Sequence, residues 1–280
     1  MESGTPTTVA DVIRLLEGMA PPSLAEAWDN CGLQVGSLDR PVKHVWVALD
    51  PSPEVVDAAC RDGADLLITH HPLIFRPLKR IDLDAPDGRT IARAIRADLS
   101  IYAAHTSLDS AKDGLNDLLA RRLGVMVAAP LEAASGGDVG ASVGLGRIGH
   151  LAEPMSLAAL AHHAGSRLGM EQVPIVGDPE TVVQAVALCS GSGGSLVGAF
   201  LDSPARVFIT GEIRYHDARD ILAAGRAAID IGHFASERIM IDDIVARLGR
   251  VLNADRVRLT GCTLERDPFG RVQVRSQANK

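Results

Sequence analysis

The chain has 280 residues with a formal net charge of -7, and 46% of its residues are hydrophobic and 22% charged. This composition is ordinary for a soluble α/β protein, and the negative charge argues against a broad nucleic-acid-binding face. No stretch approaches the roughly 20 apolar residues that cross a bilayer, and the first residues lack a signal-peptide pattern, so we expect a cytoplasmic protein without membrane contact.

The first half of the chain alternates predicted helices and strands. Apolar runs predict strands over 45–50, 65–69 and 100–104. Helical periodicity predicts helices over 9–19, 53–61, 89–97 and 112–123, with Ser52 as the cap of the second. This alternation is typical of a largely parallel sheet with helices on its faces.

The second half begins after a segment of small residues over 128–138 that contains Gly136 and Gly137. A helix is predicted over 156–168, strands over 182–188 and 207–210, and a glycine-rich loop over 190–195. The last helix, 236–251, and strand, 256–260, are predicted to return to the first unit. We therefore predict an α/β protein of two similar α/β lobes with mixed, largely parallel sheets. The first lobe is formed by 1–127 plus 228–280 and the second by 128–227.

Two adjacent histidines, His70 and His71, close the predicted strand 65–69 and precede Pro72. Open α/β folds bind ligands at the carboxyl ends of their strands. Neighbouring residues within a strand point to opposite faces, so both imidazoles face one cavity only if the strand has already ended. The proline favours such an irregular end, and two adjacent histidines can then serve two different ions.

Further ligand types lie near two other predicted strand ends. Asp109 follows the strand 100–104, and His233 and Glu237 follow a short apolar run with a spacing of four residues. If a helix begins at His233, these two side chains share one helix face. Imidazole and carboxylate suit zinc, iron, manganese, cobalt or nickel. The pattern predicts a metalloprotein, and a hydrolase if a coordination position stays open for water.

Other polar segments have competing interpretations. The segment 28–30 either caps a helix or lines the cavity, and Trp28 is otherwise a buried residue. The loop 190–195 either cradles a phosphate through its backbone N–H groups or is only a turn, since it lacks a Walker lysine. Asp113 and Asn116 are interpreted as solvated or capping residues rather than ligands.

Five motifs together resemble a known family. In chain order they are WDNCGLQVG (28–36), THHPL (69–73), HTSLD (105–109), GEIRYHDA (211–218) and GHFASE (232–237). Their order and their spread over nearly the whole chain resemble the GTP cyclohydrolase 1 type 2 homologues. These are also called NGG-one-interacting-factor-three-like proteins, with a dinuclear metal centre and a hexameric assembly.

The resemblance implies a metal site and an assembly. Two divalent ions, zinc, iron or manganese, would lie in the cleft between the lobes, with Glu237 bridging them. His105 would be an accessory ligand or a partner of a ligand. The family also implies a homohexameric toroid with the metal sites facing its interior. The implied ligands are His70, His71, Asp109, His233 and Glu237.

The same resemblance implies hydrolysis of a nucleotide or related heterocycle, GTP included, by metal-activated water. The candidates for proton transfer, in order, are His105, Glu212 and His216, with a purely structural role as the alternative for the last two. Two other functions stay open. One is a dinuclear phosphoesterase acting on another small phosphorylated substrate. The other is a non-enzymatic metal-binding, ring-shaped scaffold.

Overall fold

The computed structural model of the chain describes residues 6–134 and 142–270. Gly136 and Gly137, in the predicted segment of small residues, lie outside these ranges. In chain order, the strands are β1 (Gly32–Val35), β2 (His44–Ala48), β3 (Leu66–Thr69), β4 (Ser100–Ala103), β5 (Val125–Ala129), β6 (Glu132–Ala133), β7 (Gly144–Leu145), β8 (Arg147–Ser156), β9 (Ile175–Val176), β10 (Val182–Ser192), β11 (Val207–Glu212), β12 (Ala227–Asp230) and β13 (Arg258–Gly261).

The helices cover most of the sequence between these strands. In chain order they are α1 (Val9–Met19), α2 (Pro53–Arg61), α3 (Pro86–Arg96), α4 (Thr106–Ser110), α5 (Leu115–Leu123), α6 (Leu157–Leu168), α7 (Val197–Asp202), α8 (Tyr215–Ala223), α9 (His233–Glu237) and α10 (Ile239–Val251), with short 3-10 turns at Pro22–Leu24 and Gly194–Leu196. Within the described residues, none of these helices is long and apolar enough to cross a membrane.

Two sheets carry the fold, and both are mixed as predicted. The first has the order β1-β4-β3-β2-β13, and every pairing except β1 with β4 is parallel. The second has the order β5-β8-β10-β11-β12-β9, and its centre, β10-β11-β12, is parallel. The predicted α/β class with mixed sheets is confirmed.

One hydrophobic core joins the two sheets. It contains side chains from β2 and β3 of the first sheet, from β10 and β11 of the second, and from helices between them. The predicted lobe boundaries at 127/128 and 227/228 run through β5 and β12, and both of these strands pair within the second sheet. The division into two lobes stays a prediction.

Four local predictions differ from the structure by more than two residues. The helix predicted over 89–97 begins earlier, at Pro86, and ends at Arg96. The helix predicted over 112–123 begins at Leu115, because Gly114 caps it after the separate helix α4. The helix predicted over 236–251 is divided at Arg238 into α9 and α10. The predicted loop 190–195 is in part strand, because β10 continues to Ser192.

Candidate metal centre

His70 and His71 lie where β3 ends and the backbone turns. Their backbone N–H groups both donate to the carbonyl of Leu49, with N···O distances of 3.1 and 3.0 Å. A regular parallel ladder does not place two successive donors on one acceptor, so the chain has left the sheet at this point. The two rings consequently lie close together, with centroids 5.1 Å apart. This turn meets the condition for two neighbouring imidazoles to face one site.

Three histidines of the first sheet hold their Nδ1 atoms in the same way. Nδ1 of His70 lies 2.9 Å from the carbonyl of Ala104, and Nδ1 of His71 lies 2.7 Å from Oδ1 of Asp50. Nδ1 of His105 lies 2.8 Å from Oδ1 of Asp29. Each partner is an acceptor, so each Nδ1 carries the hydrogen and Nε2 of the neutral ring keeps its lone pair. Metal-ligating histidines are held by such partners in most sites.

Glu237 brings its carboxylate to these rings from α9. Its Oε1 lies 3.6 Å from Nε2 of His70, and its Oε2 lies 3.1 Å from Nε2 of His71. The same Oε2 lies 3.0 Å from Nε2 of His233, one helical turn earlier. Helix α9 begins at His233, after Gly232 with φ of 70°. The predicted shared helix face of His233 and Glu237 is therefore present.

Two buried polar atoms at this point have no hydrogen-bond partner among the described residues, Nε2 of His70 and Oε2 of Glu237. Oε2 lies 3.1 Å from Nε2 of His71 and 3.0 Å from Nε2 of His233, in ion-pair contacts that are not hydrogen bonds. A buried polar atom without a partner costs about 1–3 kcal/mol. A cation would satisfy both atoms, because a nitrogen lone pair and a carboxylate oxygen are both metal ligands. The residues present therefore fit a divalent ion.

The ligand atoms form two overlapping groups. One nitrogen each from His70, His71 and His105 lie within 4.8 Å of one another. Ligand atoms of His71, His233 and Glu237 form a second group of the same size. His71 belongs to both groups, so the arrangement can hold a metal ion on either side of it.

Asp109 lies at the buried edge of these groups. Its Oδ1 is 3.7 Å from Nε2 of His70 and accepts a hydrogen bond from the hydroxyl of Ser190 at 3.3 Å. Asn116 donates to the backbone carbonyl of Asp109, and its own carbonyl accepts from the backbone N–H of Ser190. Asn116 is fully buried. It links α4 to β10 and is not the solvated capping residue that the sequence suggested.

Charge coupling in the cluster opposes the cost of burial. Burial raises the pKa of Glu237, but the charge of His70 and the contacts of His233 and His71 outweigh it and hold that pKa well below its usual range. Burial lowers the pKa of His71, yet its contacts with Asp50 and Glu237 raise that pKa to about 10. The pKa values of His70, His71 and His233 are all raised beside this ionised carboxylate.

Burial is the main cause of the shift at Asp109, whose pKa is raised. The pKa of His233 is raised because it contacts the carboxylate of Glu237. Asp29 shows the opposite balance. Burial raises its pKa, but hydrogen bonds from His105, Thr106 and Cys31 lower it below its usual range. Asp29 is therefore an ionised acceptor that fixes the ring of His105.

The predicted proton-transfer residues occupy different surroundings. His105 stands inside the ligand groups. Glu212 ends β11, is half-exposed, and has Oε2 3.7 Å from Nδ1 of His233. His216 lies on the exposed side of α8, where its ring contacts Tyr215. None of the contacts among the described residues joins His216 to the histidine cluster.

The glycine-rich segment 190–195 packs against the histidine cluster. A Cβ atom on Gly191 would overlap Oε1 of Glu237 and lie 3.2 Å from Nε2 of His233, and its φ is 58°. Two of the loop's N–H groups are already used, because Ser190 donates to Asn116 and Gly191 donates to Ser236. These two groups are not available to a phosphate.

A cavity of about 520 Å³ opens beside the second ligand group. Asp50, His71, Glu212 and His233 line it, and Phe269 lies at its edge. Glu265 supports the same wall, since its carboxylate accepts the N–H groups of Leu49 and Asp50 at 2.9 and 2.7 Å. The cavity gives a small molecule a route to the cluster.

Sequence analysis did not identify Asp50 or Glu265. Asp50 follows β2 as His70 follows β3, and the carboxyl ends of neighbouring parallel strands meet at one edge. That position was a usable signal. Glu265 carried none, since its contact with Leu49 joins residues 216 positions apart in the sequence.

Two mixed sheets whose strand ends share a cluster of histidines and carboxylates define an α/β protein with a candidate metal centre. The chain belongs to the family Duf34/NIF3 (NGG1p interacting factor 3), whose model matches residues 7–268. The resemblance drawn from the five motifs is confirmed.

Individual relatives cover nearly the whole chain. A Clostridium perfringens protein named GTP cyclohydrolase 1 type 2 homolog is 34% identical over 259 residues, which are 92% of this chain and 97% of the relative. A Streptomyces coelicolor protein of the same name is 36% identical over 232 residues, 82% of this chain and 81% of the relative. The crystal structure of a Bacillus cereus protein related to NIF3 superposes with a TM-score of 0.86 at 29% identity, covering 96% of this chain and all of that one.

Proposed function

We propose that this protein is a two-metal hydrolase that acts on a nucleotide or a related heterocycle, with GTP as the first substrate to test. One observation carries the proposal. Nε2 of His70 and Oε2 of Glu237 are buried without hydrogen-bond partners at a point where other imidazoles converge. The names of relatives, such as GTP cyclohydrolase 1 type 2 homolog, support the choice of substrate.

We propose that the whole cluster binds two divalent ions. The proposed ions are zinc, iron or manganese. Glu237 is proposed to bridge, because its two oxygens face different histidines. His105 is proposed as an additional ligand, since it shares a group with His70 and His71. Such ions supply Lewis acidity and lower the pKa of water towards neutrality. The five principal ligands are His70, His71, Asp109, His233 and Glu237.

The chain's own residues supply orientation and proton transfer. Asp50 and Asp29 fix the rings of His71 and His105. Glu212 lines the cavity beside His233, which supports it as a candidate to accept or return a proton. His105 and His216 stay predictions for this role, and His216 would have to act from the outer side of α8.

The proposal is tested by metal content and product analysis on protein purified without added metal or chelating resin. About two ions per subunit, with GTP converted to a ring-opened triphosphate, would support it. Release of phosphate or of a nucleoside would favour the phosphoesterase. Two ions with GTP and other nucleotides untouched would favour a scaffold or metal-storage role. Protein without bound metal, even after reconstitution, would contradict the proposal.

We further propose a homohexameric toroid acting in the cytoplasm on a small phosphorylated substrate, without nucleic-acid or membrane partners. The family resemblance supports the assembly, and the net charge of -7 supports the absence of a nucleic-acid partner. Sedimentation equilibrium of the metal-loaded protein tests the assembly. A mass of one or two chains at micromolar concentration would contradict it.

A further inference from the structure

Two large aromatic side chains remain exposed beside His105. Trp28 is 60% and Phe75 is 48% exposed. Their ring centroids are 6.0 Å apart with an interplanar angle of 69°. The centroid of His105 lies 6.1 Å from that of Trp28 and 6.3 Å from that of Phe75. An exposed aromatic pair that touches a candidate ligand needs an explanation, because exposed indole surface favours a partner.

The pair is held in place from both sides. Asp29, next to Trp28, is buried and bonded to His105 and to the backbone N–H of Thr106. The amide of Asn30 donates to the carbonyl of Ile74, next to Phe75, at 2.6 Å. Gln34 accepts the N–H of Ile74 at 3.2 Å. These bonds fix the chain on either side of the two rings, which is how a pre-organised contact surface is built.

The chain beside the pair is cationic. Arg76, Lys79 and Arg80 are exposed, and in the described part of the chain none of them has a carboxylate partner. Lys79 and Arg80 line a groove of about 720 Å³ together with Gln34 and Ile74, which hold the chain beside the pair. Unpaired basic side chains on a protein of net charge -7 favour an anionic ligand.

We propose that Trp28 and Phe75 form a stacking site for the planar aromatic ring of the substrate, and that Arg76, Lys79 and Arg80 receive its anionic group. This inference rests on the proposed function and narrows its substrate to a planar ring that carries a phosphate or carboxylate. The two rings meet edge to face, so the incoming ring stacks on the exposed indole rather than between two parallel faces. His105 then lies within reach of the bound ring.

Binding of guanosine 5'-monophosphate to the metal-loaded protein tests the site, with ribose 5-phosphate as the probe that lacks the ring. The chain has two tryptophans, and Trp46 is buried, so the Trp46→Phe background makes Trp28 the only indole reporter. We expect saturable quenching of Trp28 by guanosine 5'-monophosphate and none by ribose 5-phosphate.

Substitutions then separate the ring contact from the charge contact. Isothermal titration calorimetry measures Kd for both probes, because Trp28→Leu has no indole reporter at position 28 and ribose 5-phosphate is not expected to quench Trp28. Trp28→Leu should raise the Kd for guanosine 5'-monophosphate by about tenfold or more, and Trp28→Phe by less. Tyr215→Leu, which removes an exposed aromatic ring on α8 outside both cavities, is the matched control and should change it little. Arg76→Gln should weaken both probes by the same factor, because it removes charge alone.

Three results would overturn the stacking site. The first is an absence of guanosine 5'-monophosphate binding to the metal-loaded wild type. The second is an unchanged Kd in Trp28→Leu. The third is a Trp28→Leu protein whose only defect is a smaller assembly in sedimentation. The last would show that a second copy covers the pair. Failure of the proposed function is a different result. It would appear as missing metal or missing turnover while Trp28 quenching by guanosine 5'-monophosphate is intact.

Discussion

Gly191 packs directly against the carboxylate of Glu237. A Cβ atom at position 191 would overlap Oε1 of Glu237, and the backbone there has a φ of 58°. The close approach places the backbone of β10 against the residue that faces three histidines. Position 191 therefore requires glycine, because a larger residue would collide with the carboxylate of Glu237.

We expect Gly191→Ala to displace Glu237 and to reduce bound metal to less than half of the wild-type content. Its backbone strain adds a destabilisation of about 1 kcal/mol. Gly198→Ala is the matched control, because no atom lies within 4 Å of its Cβ position and it lies in a helix, where alanine is favoured by about 0.5–1 kcal/mol. Elemental analysis of the two proteins checks this. Full metal content in Gly191→Ala would contradict the importance of the contact.

Glu237 and His105 should differ in their effect on metal content. Glu237→Gln removes a charge that faces His70, His71 and His233, so we expect it to lose more metal per subunit than His105→Ala. The control is Glu212→Gln, which changes an exposed carboxylate that lies 3.7 Å from His233 and belongs to neither ligand group. Equal metal content in Glu237→Gln and His105→Ala, measured on protein of intact fold, would reverse this ranking.

Asp50 should act on metal affinity through His71. Its Oδ1 accepts the Nδ1–H of His71 at 2.7 Å, and loss of such a partner lowers metal affinity about 10- to 100-fold. Competition with a chromophoric chelator measures the effect in Asp50→Asn. Glu54→Gln, an exposed carboxylate on the nearby helix α2, is the control and should keep wild-type affinity. If the two variants bind metal equally well, metal binding by His71 does not depend on Asp50.

Metal uptake should release protons near pH 7. Burial lowers the pKa of His71, but Asp50 and Glu237 raise it to about 10 in the metal-free protein. The ring is therefore protonated at pH 7, and an ion must displace that proton. Affinity should rise with pH between 6.5 and 8, by at most about tenfold per pH unit for each proton displaced. An indicator dye in weakly buffered solution measures the release, and metal binding without it would contradict the raised pKa.

Local signals in the sequence were enough for many elements. Helices α1 and α2 have the predicted bounds, because a helical pattern and, at α2, a serine cap lie within a few residues. The spacing of His233 and Glu237 placed both on one helix face for the same reason. These features depend on neighbours along the chain, which a single sequence displays.

Other features depend on residues that are distant in sequence. His105 and Asp29 are 76 positions apart, so nothing local shows that a carboxylate fixes this ring. The alternative that Trp28 is buried is wrong, since the residue is 60% exposed. Its neighbour Asp29 bonds to Thr106, 77 positions away. The division between α9 and α10 at Arg238 is not marked by a glycine or proline in the sequence. It follows a turn in which Ser236 donates to the carbonyl of His233 and accepts from Gly191.

Arg147 should contribute to stability independently of metal. The residue is 1% exposed. Its guanidinium donates to both oxygens of Asp117, at 2.7 and 2.9 Å, and to the carbonyls of Gly144, Gly146 and Ala111, each at 2.7 Å. These bonds tie α5 and the loop after α4 to the start of β8.

We expect Arg147→Met to lower the free energy of unfolding by about 3–5 kcal/mol, because it leaves the mostly buried carboxylate of Asp117 without its cationic partner. Arg121→Met removes an exposed ion pair with Asp113 and should cost less than about 1 kcal/mol. Denaturant unfolding with a chelator present measures both, since bound metal would otherwise add its own stabilisation. Similar losses in the two variants would show that the buried network around Arg147 stabilises the fold no more than a surface pair does.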